Sequence, residues 1–324
     1  MDAMDISERT ALIVEIARLY YEEHKTQEEI AKEMGVSRST ISRSLKRAQE
    51  IGAVQIRVVD PYFECSSTVE ALRTRFDLER AIVVPVSRQS DESIKRDIGS
   101  AGADYLIRVV RDGMVLGVAQ GTTLEELVDA IKPRGSVRLK VVQLVGSLGR
   151  SAASIDANEL SRRIAEAFRG EWYLLPAPVV VESSSVRSAL LREPAIRDIL
   201  EMGRKADVAL LGIGACAASS VMVQRGYLTV REVEAAKRAG AVGDICGRFY
   251  DIQGRPCKSD FDDRTIGITL EDLRAIAKRI GVAGGRGKAA AILGALRGRH
   301  INVLVTDEIA AREVLALDGY RPGE

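Results

Sequence analysis

Apolar residues recur at helical spacing through the first fifty positions, and the period then changes. Residues Asp5–Glu23 predict one long helix. Ile30 and Met34 lie four apart and so share one helical face, as do Ile41 and Leu45, with Val36 between the pairs counted as inward-facing. Ala53–Val59 alternates apolar and polar like a short strand, and Asp60-Pro61 ends it. Residues 61–67 read as a linker. Beyond it, short apolar runs predict strands at Ala81–Val86, Met114–Val118, Val141–Val145, Trp172–Leu175, Val208–Ile213 and Val303–Thr306. Helical patterns lie between them, over Asp91–Val110, from Thr123, over Asp156–Phe168, over Leu270–Ile280 and over Ala289–Leu296. This alternation predicts a mostly parallel sheet covered by helices, preceded by a small helical domain. The domains are expected at 1–60 and 68–324.

The small domain carries the sharpest local signals. Thr26 with Glu29 forms a capping-box pair that starts a helix. Gly35 stands where that helix must end, because a left-handed backbone costs glycine little. Ser37 caps the next helix. The result is a helix-turn-helix. Its second helix presents Arg38, Ser39, Thr40, Ser42, Arg43 and Lys46 outward, side chains able to bond base edges and phosphates in a major groove. Thr26, Gln27, Ser37 and Arg47 complete the candidate DNA contacts, and the strand at 53–59 would be a wing touching the backbone.

Charge sharpens this reading. Residues 1–60 hold nine Lys/Arg and eleven Asp/Glu, so the domain is not basic overall. Within 36–57, however, Arg38, Arg43, Lys46, Arg47 and Arg57 face only Glu50. Positive charge concentrates on the reading helix, as expected for a protein that binds operator DNA. The whole chain, at net +1 over 324 residues, adds nothing about partners. Its start, MDAMDISER, is not followed by an apolar run, and no stretch approaches the ~18 apolar residues of a membrane span. A cytoplasmic protein without a membrane partner is expected. Cys65, Cys216, Cys246 and Cys257 are scattered, which predicts free thiols and neither a metal nor a cofactor.

Ligands of parallel sheets bind beyond the carboxyl ends of the strands, where three loops qualify. Gly121-Thr122-Thr123 follows a strand and opens a helix, offering free N–H groups and two hydroxyls to an anion, or else Thr122 or Thr123 simply caps that helix. Gly212-Ile213-Gly214 with Ala217 matches a dinucleotide fingerprint, but the residues that follow make a poor helix. Gly284-Gly285-Arg286-Gly287-Lys288 resembles a P-loop, yet Val282 replaces its first glycine and Ala289 its magnesium-binding hydroxyl. Nucleotide hydrolysis is therefore disfavoured, while a glycine-rich turn and a lysine at a helix start suit a phosphate monoester.

The chain resembles the SorC/DeoR-type bacterial sugar-binding transcriptional regulators. GTT at 121–123, VVQLVGSLG at 141–149, LLPAPVVVES at 174–183, ADVALLGIG at 206–214, GAVGDICGRFYD at 240–251, DDRTIGITLEDLR at 262–274, VAGGRGKAAAILGALRG at 282–298 and NVLVTDEIAA at 302–311 carry the resemblance, in order, behind the helix-turn-helix. It implies a winged helix-turn-helix domain joined to a Rossmann-like parallel α/β effector domain related to sugar-phosphate isomerases. By that resemblance Thr122, Thr123 and Lys288 would hold an effector's phosphate, helped by the Gly284-Gly285 backbone. Gln143 and Asp244 would bond sugar hydroxyls, with Arg248 and Phe249 near the pocket, and Gly121, Gly212 and Gly214 would line it. Asp244 and Arg248 could equally form a structural ion pair.

The function this predicts is transcriptional regulation, as a repressor of a carbohydrate operon. The effector would be a phosphorylated sugar or sugar alcohol, and the protein a dimer or tetramer. An unphosphorylated effector acting on an activator is the variant reading. An isomerase-like enzyme would need a positioned acid and base. Only His24 and His300 are available as histidines, with Asp244 or Glu308 as carboxylates, so no catalytic residue is assigned. A third reading makes the larger domain a scaffold that only oligomerises.

Overall fold

Ile30 and Ile41 are wholly buried and lock two short helices together in the first of two compact units, Met1–Asp60 and Pro61–Glu324. The computed structural model describes residues 6–23, 25–54, 66–86, 90–132, 137–147, 157–224 and 226–320. The first unit contains helices α1 (Ile6–Tyr21), α2 (Gln27–Glu33) and α3 (Arg38–Glu50). Ile16, Ala17, Ala31, Leu45 and Ala48 complete its core. Val36 does not join them. It is 41% exposed, because it lies in the turn between Gly35 and the Ser37 cap rather than on a helical face. The strand expected at 53–59 falls mostly outside the described residues, and Ala53 and Val54 form a bend rather than a strand.

The second unit opens with α4 (Ser66–Phe76), so Ser66 and Ser67 are helical, not linker, while residues 61–65 lie outside the described part. The chain continues through β1 (Arg80–Val84), α5 (Asp91–Val109), β2 (Val115–Val118), α6 (Thr122–Ala130), β3 (Lys140–Gln143), α7 (Ala157–Ala167) and β4 (Glu171–Tyr173). Then come α8 (Ser184–Leu190), α9 (Pro194–Arg204), β5 (Val208–Gly212), β6 (Gly214–Ala215), α10 (Val221–Gln224), α11 (Val230–Arg238), β7 (Ala241–Ile245) and β8 (Arg248–Asp251). It closes with α12 (Asp260–Arg264), α13 (Leu270–Ala275), β9 (Lys278–Val282), a 3₁₀ turn at Arg286–Lys288, α14 (Ala289–Arg297), β10 (Val303–Asp307) and α15 (Glu308–Leu317).

Seven strands form one sheet in the order β1-β10-β9-β5-β2-β3-β4, every pair parallel. Its central strands are apolar on both faces, as a sheet covered by helices on each side requires; all of β10 is buried. The chain leaves β2 toward β3 and β4 but leaves β5 toward β9 and β10. That reversal makes β2/β5 the switch point at which such sheets bind ligands. A separate antiparallel sheet, β6-β7-β8, follows directly on β5 and brings Asp244 opposite Gly214.

A further sequence-based expectation needs correcting. The helix expected over Leu270–Ile280 stops at Ala275; Ile276 is extended (φ −73°, ψ 130°) and β9 begins at Lys278. Leu270 and Leu273 do face inward from α13, but Ile280, which keeps their spacing by coincidence, sits in β9 between β5 and β10.

Candidate functional site

In the helix-turn-helix, Thr26 N–H donates to Glu29 Oε2 at 2.8 Å, and Glu29 N–H donates to Thr26 Oγ1 at 3.3 Å. These bonds from Thr26 hold the Glu29 carboxyl below its ordinary value. Gly35 takes φ +65° and turns the chain. Ser37 Oγ accepts from Thr40 N–H at 3.2 Å and lies 2.8 Å from both Ser39 Oγ and Thr40 Oγ1. Hydroxyls therefore cluster at the start of α3, where the helix dipole favours a phosphate. Arg38, Ser39, Ser42, Arg43, Lys46 and Arg47 are exposed along α3, while Thr40 and Gln27 are half-buried. Arg47 is paired with Glu50 at 2.9 Å, an exposed pair of small energetic weight.

In the second unit a cavity of about 240 Å³ opens beyond β2, β5 and β9. Its first wall is Gln120-Gly121 and the start of α6. Gly121 takes φ +154°, a backbone that side-chain-bearing residues rarely adopt, and no side chain caps the helix that follows. Thr122 and Thr123 thus occupy the first turn without serving as caps, and both line the cavity beside N–H groups that no side chain of the cap position satisfies.

The second wall is Gly212-Ile213-Gly214. A Cβ at Gly212 would lie 2.5 Å from the Gln120 carbonyl oxygen, and one at Gly214 would lie 2.0 Å from Asp244 Oδ1. These glycines let the wall press against its neighbours. Asp244 itself lines the cavity and accepts from Gly247 N–H at 3.3 Å. Burial raises its carboxyl above the ordinary value, against the opposing pull of Lys288 and of the Gly247 N–H.

Lys288, at the end of the 3₁₀ turn, supplies the third wall. Its ammonium donates to the Ile213 carbonyl. Burial lowers its pKa, the Asp244 carboxylate pulls it back up, and the nearby Lys95 charge pushes it down again. Lys95, half-exposed near the start of α5, lines the same cavity and makes no hydrogen bond or ion pair among the described residues. Close packing of α5 on α6 holds it there: a Cβ at Gly99 would meet the Glu126 backbone at 2.7 Å.

The family of sugar-binding domains matches residues 60–316, and that of sigma-70 region 4 matches residues 5–50. The chain belongs to the SorC/DeoR-type family of sugar-binding transcriptional regulators. It is 37% identical to the deoxyribonucleoside regulator of Bacillus subtilis, over 95% of this chain and 98% of that one. It is 32% identical to the sorbitol operon regulator of Klebsiella pneumoniae, over 96% and 100%. The crystal structure of the full-length Klebsiella protein superposes with a TM-score of 0.75 at 31% identity, covering 97% of this chain and all 100% of that one. The chain is thus a DNA-binding regulator of transcription.

Of the residues expected at the regulator's effector site, the cavity brings together Gly121, Thr122, Thr123, Gly212, Gly214, Asp244 and Lys288. Five others are not among its described lining residues. Gln143 is fully buried, and its polar atoms are engaged elsewhere: Nε2 donates to the Val145 carbonyl (2.7 Å) and Ser147 Oγ (3.2 Å), and Oε1 accepts from Leu175 N–H (3.1 Å). Arg248 pairs with Asp262 at 2.8 Å rather than with Asp244, and donates further to the Asp262 and Thr265 carbonyls. Phe249 packs on Phe261 with ring centres 5.6 Å apart. Gly285 N–H is taken by Asp307 Oδ2 at 2.6 Å, and a Cβ at Gly284 would lie 2.2 Å from that oxygen, so this pair anchors the loop that carries Lys288.

Sequence reasoning missed Lys95, Gln120, Ser220 and Met222 in the lining. Gln120 had one usable signal, its place directly before the Gly121 turn. No histidine is among the described lining residues, and His300 is buried elsewhere, bonded to the Gly254 carbonyl and lowered by burial to about 4. His24 lies outside the described residues. Cys216, Cys246 and Cys257 are free and buried, which pushes the Cys246 thiol up to about 12. Among the described residues no helix is long and apolar enough to cross a membrane.

Proposed function

We propose that this regulator is a repressor of a carbohydrate-utilisation operon whose operator affinity is set by a phosphorylated sugar or sugar alcohol. One observation carries the reading: the uncapped first turn of α6 and the Lys288 ammonium line one cavity at the sheet's switch point. A phosphate ester carries roughly −1.5 to −2 charges and three acceptor oxygens. The α6 N–H groups, the Thr122 and Thr123 hydroxyls and Lys288 offer it donors and positive potential together. Asp244 is placed to accept from a sugar hydroxyl. The names of the Bacillus relative, a deoxyribonucleoside regulator, and of the Klebsiella relative, a sorbitol operon regulator, favour an effector built on a sugar or sugar alcohol.

On DNA, α3 enters the major groove with Arg38, Ser39, Ser42, Arg43 and Lys46 toward the bases and phosphates, and a dimer or tetramer places such helices on successive half-sites. The effector shifts operator affinity only by its differential affinity for the two states, typically ~1–3 kcal/mol.

Calorimetric titration of the full-length protein with glucitol 6-phosphate, fructose 6-phosphate and their unphosphorylated parents tests the effector. A phosphorylated compound should bind, and Lys288→Ala should weaken it by about 30-fold, the ~2 kcal/mol of a charged hydrogen bond. Binding of a parent sugar alone, unaffected by Lys288→Ala, would overturn the phosphate reading.

A further inference from the structure

Two polar atoms in the cavity wall remain without a hydrogen-bond partner among the described residues: Gln120 Oε1 and Ser220 Oγ, both buried. The other end of the Gln120 amide reaches only the Met222 sulfur, at 3.6 Å. Whichever way the amide is turned, one of its polar atoms is left to something in the cavity. Ser220 stands directly before α10, where a serine hydroxyl commonly caps the helix. Here its backbone carbonyl accepts from Val223 and Gln224 N–H, both at 3.0 Å, while the hydroxyl bonds neither.

Position strengthens the point. Gln120 adjoins Gly121, so its Cα is ~3.8 Å from the residue that opens the α6 anion site. Its backbone is clamped, because Ala119 N–H donates to the Leu210 carbonyl at 2.9 Å and the Gln120 carbonyl abuts Gly212. The residue is thus fixed next to the start of α6, and it lines the same cavity as Thr122, Thr123 and Lys288. Gln143, at the end of the neighbouring strand, shows the contrast: its amide is saturated by protein groups.

We propose that Gln120, with Ser220 in the same lining, reads the hydroxyl pattern of the effector and is the specificity-determining residue of this site. The assignment rests on the sugar-phosphate reading above. The phosphate end is held by α6 and Lys288, and the carbon bearing the hydroxyl that meets Gln120 separates one polyol phosphate from another. A site whose buried polar group expects a hydroxyl rejects the analogue that lacks it.

The test compares the full-length wild type with Gln120→Met and Ser220→Ala by calorimetry. Probes are inorganic phosphate, glucitol 6-phosphate, fructose 6-phosphate, ribose 5-phosphate and 2-deoxyribose 5-phosphate. Gln120→Met should lose about 10-fold or more in affinity for the preferred sugar phosphate and narrow the ribose-to-deoxyribose ratio. Its affinity for inorganic phosphate should stay within about 2-fold, and its unliganded melting temperature within about 2 °C. Unchanged sugar-phosphate affinity in Gln120→Met, with Lys288→Ala still defective, overturns this assignment and leaves the effector class standing. Parallel losses for sugar phosphate and inorganic phosphate overturn it too, since they mark a structural role. Wild-type protein that binds none of the probes overturns the sugar-phosphate reading itself. Should Gln120→Met fail to fold, Ser220→Ala decides alone, by the same split between sugar phosphate and inorganic phosphate.

Discussion

Two helices begin at the carboxyl edge of the same parallel sheet and treat their first turns in opposite ways. At α15 the protein supplies its own anion. Asp307 is fully buried, and Oδ1 accepts from Ile309 and Ala310 N–H at 2.9 and 3.0 Å while Oδ2 accepts from Gly285 N–H. At α6 the corresponding place is held by Gly121, which has no side chain to offer, and the donors remain open to the cavity. A sheet of this kind produces anion-binding helix starts as a matter of course. What distinguishes a ligand site from a structural one is whether the chain fills it with a carboxylate.

The largest effect should come from emptying the filled site. Asp307→Ala leaves three N–H groups, one buried and two half-buried, without their charged acceptor and should cost about 3–5 kcal/mol, read as a lowered urea midpoint. A loss under about 1 kcal/mol would break the comparison, because Asp307 would then not be what anchors the α15 start and the Lys288 loop. Filling the open site is the converse. Thr122→Asp places a carboxylate in the first turn of α6 and should reduce phosphate-ester affinity about 100-fold. The same change should stabilise the free protein by about 0.5 kcal/mol through the helix dipole. Both are measurable on one sample by calorimetry and thermal melting. Tight phosphate binding in Thr122→Asp would show that the anion sits elsewhere.

The smallest effect concerns pH. Lys288 is held below the ordinary lysine value of 10.5, chiefly by burial. Its charge is fully present below the lowered value and is lost as pH rises through it. A phosphate monoester is dianionic well above its second pKa of about 6, so any alkaline weakening belongs to the protein. Phosphate-ester affinity should therefore decline before pH 10.5 is reached, and Lys288→Arg, whose charge persists, should flatten the decline. Equal pH profiles for wild type and Lys288→Arg would remove Lys288 from the phosphate.

These contrasts also show what a sequence reveals. The helix-turn-helix was legible because each of its signals is local: Thr26 with Glu29, Gly35, and Ser37 three residues before the N–H that it caps. That Thr122, Thr123 and Lys288 would meet beyond the strand ends was legible, because each follows a glycine turn after a strand, and they line one cavity. Gln143 entered through the family resemblance alone, and only packing shows that its amide already has protein partners while that of Gln120, near the end of the adjacent strand, keeps an open atom. Lys95 left no trace, since it precedes Gly121 by a whole helix and a strand and comes near only through the packing of α5 on α6. β9 was hidden because its Ile280 happened to continue the spacing of Leu273 in α13.

The backbone contact between Gly212 and the Gln120 carbonyl has a practical consequence. No larger residue fits at 212 without parting the two central strands, so the floor of the cavity is a fixed chassis. Gln120, Ser220 and Lys95 stand on it as interchangeable fittings, because they line the cavity without belonging to the buried hydrophobic core, as Met222 does. Anyone wishing to retune this regulator as a biosensor for a different metabolite would randomise those three positions and leave the glycines alone.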